Sequence, residues 1–165
     1  MVTPLFLPST GGVETHVAEV SRRLASSGHE TSVLTTDRSG TLPKEEDWHG
    51  VAIRRVRAWP GRADYFFAPG VVSAIRAGRW DVVHVQSYHT LVAPLAMAAA
   101  HASHTPYVVT FHGGGHSSRA RNSLRGAQMM LLRPLLARAE RLVAVAAFEI
   151  DRRSSANRPP ASRPI

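Results

Sequence analysis

The chain has 165 residues, about the length of one domain, and 44% of them are hydrophobic, which is enough to bury a core. It contains no cysteine, so a disulfide framework, a zinc–thiolate site and a cysteine nucleophile are all excluded. Twenty basic and 12 acidic side chains give a net charge of +8, which is typical of proteins that bind nucleic acid, a membrane surface or an anionic substrate.

Half of this positive excess lies in residues 152–165, which contain four arginines and no acidic side chain. The segment is rich in Ser, Pro and Arg, and a composition of this kind does not bury a core. We therefore expect residues 1–151 to form one domain and residues 152–165 to be a disordered tail. The alternatives for this tail are a basic arm for nucleic acid or anionic lipid, and a reading frame out of its proper register.

Apolar or β-branched segments alternate along the chain with segments of helical periodicity. The predicted strands are residues 1–6, 31–36, 51–56, 81–85, 107–111 and 142–145. The predicted helices are residues 13–27, 69–77, 90–103 and 119–139, with a kink at Pro134. Residues 37–50 are polar and predict a loop, and the alternation in residues 51–56 is typical of an edge strand. Because buried strands that alternate with helices form parallel sheets, we predict a doubly wound, mostly parallel, Rossmann-like α/β sheet of about six strands.

Ligands of doubly wound sheets bind at the carboxyl ends of the strands, so the residues just after each strand are the candidates for a site. These candidates are residues 8–13, Asp37 and residues 86–90, 112–118 and 146–149. Glycine, histidine and polar residues concentrate in three of these segments. The sequence therefore predicts a ligand cleft at this edge of the sheet.

Gly11 and Gly12 lie between the first predicted strand and the first predicted helix. Two glycines there let the backbone approach a ligand closely, and the free amides of a helix N-terminus suit a phosphate or diphosphate. The register does not match the G-x-G-x-x-G fingerprint of dinucleotide sites. Asp37 nevertheless follows the second strand, where a ribose-binding acid would lie. A nicotinamide site and a simple loop both stay open as alternatives.

His112 comes directly after the strand at residues 107–111 and is followed by three glycines. An imidazole in that position can donate a hydrogen bond to a sugar hydroxyl or to developing charge near neutral pH. The alternative is a strand-end histidine whose hydrogen bonds are satisfied by the backbone. His116 follows at a spacing of four, but the glycines disfavour a helix and no carboxylate lies nearby. We therefore expect no metal site.

Gln86, Tyr88 and His89 follow the apolar strand at residues 81–85 and face the same rim. Their polar side chains are suited to contact the hydroxyl groups of an acceptor, and a plain loop with Thr90 as helix cap explains them equally well. His84 lies inside the strand, where a histidine with satisfied hydrogen bonds is more common than a ligand-binding one.

Four parts of the chain resemble, in order and spacing, motifs of family 4 glycosyltransferases. They are GGVE at residues 11–14 with GHE at 28–30, DVVHVQ at 81–86, PYVVTFH at 106–112 and AERLVAVAA at 139–147. The family patterns are GG-x-E with GHEV, D-h-h-H-x-H, P-x-V-x-T-x-H and A-D-x-h-h-x-V-S, in which h is hydrophobic. The chain departs from them at Thr31, where Val is usual, and at Ala146 and Ala147, where a serine-containing pair is usual. The resemblance covers nearly all of residues 1–151.

The resemblance implies one half of the two-domain GT-B fold and the transfer of a sugar from a nucleotide-sugar donor to an acceptor, with retention at the anomeric carbon. It implies that His112 is the catalytic residue beside the transferred sugar. The residues implied to meet the donor's diphosphate or sugar are Gly11, Gly12 and Gly113. The candidate acceptor contacts are Gln86, Tyr88 and His89. The nucleotide-sugar is the one co-substrate expected, with no cofactor, metal or nucleic acid.

The resemblance also implies a C-terminal Rossmann domain that these 165 residues do not contain. We therefore expect an acceptor-side, N-terminal half of a glycosyltransferase, truncated or frame-shifted near residue 152, with little activity alone. We expect it to be cytoplasmic, with peripheral contact at the inner membrane face through the arginine-rich stretch 119–141. The alternatives are a non-catalytic binding module that pairs with a partner, a nicotinamide-dependent oxidoreductase, and a nucleic-acid binder supported by charge alone.

Overall fold

The computed structural model describes residues 1–60, 67–87, 90–112 and 130–145, in which strands and helices alternate. The strands are β1 (Thr31–Asp37), β2 (Glu45–Trp48), β3 (Val51–Arg57), β4 (Val83–Gln86), β5 (Tyr107–Phe111) and β6 (Arg141–Ala144). The helices are α1 (Gly12–Ser26), α2 (Gly70–Ala77) and α3 (Val92–Ala102), and residues 130–136 are also helical. The predicted α/β class is therefore confirmed.

The strands form two three-stranded groups, in the orders β2–β3–β1 and β4–β5–β6. Residues 1–3 join the two groups, because Val2 forms parallel bridges to Leu34 of β1 and to Val85 of β4. The Val2 N–H donates to His84 O, and Val2 O accepts from the Gln86 N–H, both at 2.8 Å. Among these strands, all pairings are parallel except that of β2 with β3. The predicted doubly wound, mostly parallel sheet is thus confirmed.

The order of the strands reverses at residues 1–3. From this central segment the chain passes to β1 and β3 on one side, and it later returns to β4, β5 and β6 on the other. In doubly wound sheets this switch point opens a crevice at the carboxyl ends of the central strands, and ligands bind there. The fold therefore places the expected ligand crevice at the loop after Thr3 and at the end of β4.

Each face of the sheet has its own apolar cluster. The cluster that joins α1 to β1 and β3 has the buried members Phe6, Val17, Val33, Val51 and Ile53. The larger cluster, on the opposite face, contains the buried side chains of α2 and α3 and also Val83 and Val85 of β4. Because side chains alternate between the faces along a strand, His84 and Gln86 lie on the face of α1.

The edge beyond β1 differs from the prediction. Residues 45–48, predicted as loop, form β2, which pairs antiparallel with β3. Their sequence, EEDW, is polar and mostly exposed, so neither apolar alternation nor β-propensity marks it as a strand. His49 and Gly50 have φ values of 53° and 76° and form the two-residue turn between the two strands. The prediction that residues 51–56 form an edge strand was wrong, because this turn adds an outer strand.

The helices agree closely with the prediction. Gly28, with a φ of 87°, ends α1 as expected, and its N–H donates to Ala25 O at 3.0 Å. The first predicted strand is shorter than expected and pairs only near Val2, since Pro4 has no N–H to continue the ladder. The start of the fourth predicted helix (residues 119–129) and the predicted tail (residues 152–165) lie outside the described residues.

Candidate functional site

The first helix begins at the two glycines that the sequence singled out. Gly11 is the N-cap of α1 and makes no side-chain cap hydrogen bond, and Gly12 is the first helical residue. The amides of a first helical turn have no partners within their own helix. A Cβ on Gly11 would collide with the Glu14 carboxylate, whereas a Cβ on Gly12 would have no described atom within 4 Å. The helix start is therefore open at Gly12 and has one carboxylate folded back over Gly11.

His112 is held by a side chain of the neighbouring strand. It follows β5 and is half-buried, and its Nε2–H donates to Gln86 Oε1 at 2.7 Å, since an amide oxygen can only accept. Two residues earlier on the same strands, His84 Nε2 and Thr110 Oγ1 also lie 2.7 Å apart. These four side chains occupy the H-x-H and T-x-H positions of the motifs quoted above, with Gln86 in place of the second histidine of H-x-H. The two motifs therefore form two successive cross-strand pairs on one face of the sheet.

The helix α1 reaches the same place through His16. The rings of His16 and His112 meet edge to face, with centroids 5.0 Å apart and planes at 67°. His16 lies about one helical turn after Gly12, so the start of α1 and the His112 ring border the same crevice. Sequence reasoning did not single out His16. The signal available was its helical spacing from Gly12.

His84 is the buried member of this histidine group. Burial is the main reason why the pKa of His84 falls to about 4, and the positive charges of the Met1 amino group, His16 and His112 lower it further. The ring is therefore neutral at pH 7 and hydrogen-bonded to Thr110. The prediction of a satisfied histidine inside the strand is confirmed.

Gln86 ends β4 and is fully buried. Among the described residues, its Nε2 has no hydrogen-bond partner, and its polar side-chain contact is His112. Ser87 follows with a left-handed φ of 64° and donates its N–H to Thr110 O at 3.0 Å. Three other predicted site residues, Tyr88, His89 and Gly113, lie outside the described residues. The structure therefore brings Gln86 against His112, and His16 connects His112 to the helix that begins at Gly11 and Gly12.

Asp37, the candidate for a ribose contact, serves its own loop. Its Oδ1 accepts from the Ser39 N–H at 2.8 Å and from the Ser39 hydroxyl at 2.7 Å, and its Oδ2 accepts from the Leu42 N–H at 3.1 Å. Burial alone raises the pKa of this carboxyl, but hydrogen bonds from Ser39, Gly40 and Leu42 outweigh burial and leave the pKa below its usual range. Because both oxygens of the Asp37 carboxylate already accept hydrogen bonds from its own loop, Asp37 is poorly suited to bind a ribose, and this disfavours the nicotinamide alternative.

Arg55 fixes the loop that leads to the two glycines. It occupies an inward position of β3, with its side chain only 3% exposed. Its guanidinium donates to Leu7 O at 2.8 Å and Pro43 O at 3.1 Å, and it pairs with Glu46 at 2.8 Å. Sequence reasoning missed this role, since an arginine in an alternating strand is expected to face solvent.

A cavity of about 770 Å³ lies between the segment that precedes the two glycines and the loop that follows β1. Its lining includes Leu5, Phe6, Ser9, Thr36 and Leu42. Its described lining mixes apolar and polar side chains and does not include Gly11, Gly12, Gln86 or His112. The cavity is therefore open space near the end of β1, separate from the group around His112.

The histidines of the site do not form a metal centre with other described side chains. Within residues 1–60, 67–87, 90–112 and 130–145, no group of three His, Asp or Glu is placed to hold an ion. In the same residues, no helix is long and apolar enough to cross a membrane. The arrangement instead offers a helix N-terminus for an anion and an imidazole for hydrogen bonding.

Comparison with known proteins assigns these features to one family. The sequence model of Glycosyltransferase Family 4 matches residues 10–161. The GDP-mannose:cellobiosyl-diphosphopolyprenol alpha-mannosyltransferase of Xanthomonas oryzae pv. oryzae is 37% identical over 116 residues, which are 66% of this chain and 29% of that protein. The D-inositol 3-phosphate glycosyltransferase of Thermobispora bispora is 33% identical over 126 residues, which are 67% of this chain and 29% of that protein.

A third relative covers more of the chain. D-inositol 3-phosphate glycosyltransferase 1 of Catenulispora acidiphila is 30% identical over 167 aligned residues, which cover 92% of this chain and 40% of that protein. The chain thus spans less than half the length of the curated relatives that it matches. The family match extends across Gly11, Gly12, Gln86 and His112, and the chain belongs to Glycosyltransferase Family 4.

Proposed function

We propose that this chain is the acceptor-side half of a retaining glycosyltransferase, which transfers a sugar from a nucleotide-sugar donor to a hydroxyl group of an acceptor. The observation that carries the proposal is the contact of His112 with His16 of α1, the helix that begins at Gly11 and Gly12, beside the switch point of the sheet. Doubly wound sheets bind nucleotides and related ligands at this point. Family membership supports the proposal.

In this proposal, the start of α1 binds the donor's diphosphate or its sugar. The free amides and the helix dipole favour an anion there by about 0.3–1 kcal/mol in an exposed setting and by more in a closed one. Negative charge on the diphosphate grows as the glycosidic bond breaks, so this contact would stabilise the transition state more than the bound substrate. The Glu14 carboxylate would move aside when the anion binds, because a flexible side chain carries it.

His112 is the catalytic residue of the proposal. Its ring is half-buried at the crevice and is held by Gln86 and His16, so its orientation is set before a substrate arrives. An imidazole placed beside the transferred sugar can donate to a hydroxyl group or stabilise developing charge. Positioned contacts of this kind are typically worth 10²–10⁴-fold in rate.

The acceptor is proposed only as a molecule with a free hydroxyl group. The relatives are named for two chemically different acceptors, cellobiosyl-diphosphopolyprenol and D-inositol 3-phosphate. The predicted acceptor contacts Tyr88 and His89 stay part of the proposal, as does Gly113 on the donor side, whereas the predicted acceptor contact Gln86 is fully buried and is assigned a different role below. The cavity of about 770 Å³ beside Leu5 and Thr36 offers further room for an acceptor.

A second Rossmann domain is the proposed partner of this half. The chain spans 29% to 40% of the length of the three relatives, so most of each relative has no counterpart in it. Residues 1–151 are the proposed acceptor-side domain, and residues 152–165 are the proposed tail. Peripheral membrane contact through the stretch 119–141 is a further prediction, which binding to anionic vesicles across a salt series would test.

The decisive experiment extends the chain with the second domain from its own coding region and assays a panel of nucleotide-sugars. We expect turnover with at least one donor and retention at the anomeric carbon of the product. His112→Ala is expected to lower turnover at least tenfold, whereas His101→Ala, at an exposed position of α3, leaves it unchanged. Equal rates for the two variants would reject the role of His112.

The isolated chain separates this proposal from its main alternative. Half a donor site is not expected to turn over nucleotide-sugars, so measurable turnover by residues 1–165 alone would contradict the need for a second domain. The short span relative to its relatives equally fits a binding module that pairs with a separate chain. Co-purification with such a chain, together with no transferase activity in the complex, would favour that module.

A further inference from the structure

Gln86 is the one predicted acceptor contact that the structure describes, and it has no exposed surface. Its side chain is fully buried, whereas its hydrogen-bond partner His112 is half-buried at the crevice. A side chain without surface contacts a substrate only if the surrounding strands open. Its one polar side-chain contact among the described residues, at 2.7 Å, leads instead to the ring of His112.

The backbone around Gln86 holds this side chain in place. The Gln86 N–H donates to Val2 O at 2.8 Å, and the next N–H, that of Ser87, donates to Thr110 O at 3.0 Å. Ser87 keeps a left-handed φ of 64°, a conformation that persists only where the surroundings determine it. The backbone that carries the Gln86 side chain is therefore held by contacts that do not involve His112.

The chemistry of Gln86 fits a task at His112 better than a task in packing. One end of its amide, Nε2, has no partner among the described residues, although it is buried. A buried donor without a partner lowers stability, so an apolar side chain of similar size would stabilise the fold more at this position. The polar end that does have a partner, Oε1, accepts from Nε2–H of His112. This acceptor fixes which ring nitrogen of a neutral His112 carries the proton.

A second contact restricts the ring from the side of α1. The His16 ring meets the His112 ring edge to face, at 5.0 Å between centroids and 67° between planes. Gln86 fixes one ring nitrogen and His16 limits rotation of the ring plane. Together the two contacts leave little freedom to the imidazole.

We propose that Gln86 and His16 are positioning residues that fix the tautomer and the ring plane of His112. The inference rests on the proposed function for its consequence in catalysis, but the geometry itself is measurable without a substrate. Gln86 then acts through His112 and does not touch the acceptor.

The first test follows the His112 ring by ¹H–¹⁵N NMR of the whole 165-residue chain. In the unmodified chain we expect a visible Nε2–H signal, because a hydrogen-bonded proton exchanges slowly with water. Gln86→Leu removes the acceptor and is expected to abolish this signal while keeping the thermal midpoint at or above that of the unmodified chain. Thr110→Val is the matched control, since it removes the neighbouring His84 pair and leaves the Gln86 pair intact. Retention of the His112 signal in Gln86→Leu would overturn the proposal.

The second test uses Gln86→Glu, which keeps the shape of the side chain and adds a negative charge. A carboxylate against the ring favours the imidazolium, so the titration midpoint of His112 is expected to rise by about 1 pH unit or more. The described titratable groups that face the ring are His16 of α1 and His84 of β4, and both are unchanged in this variant. An unchanged midpoint in a folded Gln86→Glu chain would overturn the proposal.

The third test concerns His16 and separates this inference from the proposed function. His16→Ala is expected to broaden the His112 ring signals, and in the two-domain enzyme it is expected to lower kcat several-fold with little change in KM. NMR effects as expected, in an enzyme without transferase activity, would sink the proposed function and leave the positioning role standing. If the two-domain enzyme is fully active and neither Gln86→Leu nor His16→Ala changes kcat or the ring signals, the proposed function stands and the positioning role is overturned.

Discussion

Arg55→Met is expected to destabilise the fold by about 2–3 kcal/mol, and the partners of Arg55 allow the size to be worked out. Methionine keeps the length and the apolar stem of the side chain and removes the guanidinium. The guanidinium donates to two carbonyl oxygens, those of Leu7 and Pro43, and pairs with Glu46. Only 3% of the Arg55 side chain is exposed, so in the variant water does not readily take the place of the guanidinium as donor to the two carbonyl oxygens.

The magnitude is the difference of two effects. Hydrogen bonds from a charged donor are worth about 1.5–3 kcal/mol each, so losing two of them costs roughly 3–6 kcal/mol. The Glu46 side chain is 42% exposed, so the ion pair adds less than about 1 kcal/mol. Against this, the variant removes a buried Nε–H that has no partner among the described residues, which returns about 1–3 kcal/mol. The net loss lowers the thermal midpoint by roughly 5–10 °C for a chain of this size.

Arg54→Met is the matched control for this prediction. Arg54 is the neighbour of Arg55 on β3, and its ion pair with Glu45 has side-chain exposures of 46% and 70%. An exposed pair of this kind changes stability by about 0.5 kcal/mol or less. Urea or thermal unfolding of both variants, followed by circular dichroism, measures the contrast. Equal losses in the two variants would refute the argument that burial and the two carbonyl contacts set the size of the effect.

Three further predictions concern pH, a glycine and a loop. The pKa of His84 is lowered to about 4 from 6.5, so the unfolded chain takes up this proton at a higher pH than the folded chain does. The free energy of unfolding is therefore expected to fall by about 2 kcal/mol as pH drops from 6.5 toward 4, and denaturant titrations of His84→Gln should show a smaller dependence on pH. Gly12→Ala is expected to keep the free energy of unfolding unchanged or to raise it by up to about 1 kcal/mol, and to lower transferase turnover. Gly28→Ala, at a φ of 87°, should lose about 1 kcal/mol or more of that free energy, and a Gly12→Ala enzyme with full turnover would argue against the diphosphate contact. Asp37→Asn is expected to lower the free energy of unfolding by about 1–2 kcal/mol at pH 7. The difference between the variant and the unmodified chain should close below the lowered pKa of Asp37, where the Asp37 carboxyl is protonated and uncharged; a difference that stays constant in acid unfolding would contradict the role of the Asp37 carboxylate in its loop.

The central strands and the helices follow from the sequence because their causes are local. The buried run at β5 and the helical spacing of Val13, Val17 and Val20 in α1 are visible in the chain itself. The outer strand β2 is not, since its residues EEDW pair with β3 only because the turn at His49–Gly50 brings them there. A strand that exists through its partner carries no periodicity of its own.

The candidate site divides in the same way. Gly11, Gly12 and His112 stand out in the sequence because glycines and a histidine at strand ends are locally unusual. His16 and Arg55 do not, since each acts on a residue far along the chain: His16 on His112, and Arg55 on Leu7. Gln86 was noticed for its polarity, but its burial beneath the crevice is a property of the assembled sheet.

The narrow central segment of the sheet has a consequence for how the molecule folds. Residues 1–3 are the shortest member of the ladder, and they pair with Leu34 on one side and Val85 on the other. The pairs within β1–β2–β3 and within β4–β5–β6 close loops of a length comparable to, or shorter than, that closed by Val2 and Leu34, whereas the pair of Val2 with Val85 closes a much longer loop. We therefore expect the amides that join Val2 to β4 to gain protection from hydrogen exchange last during refolding. The crevice then takes shape only at that final step, when the two halves of the sheet are drawn into register.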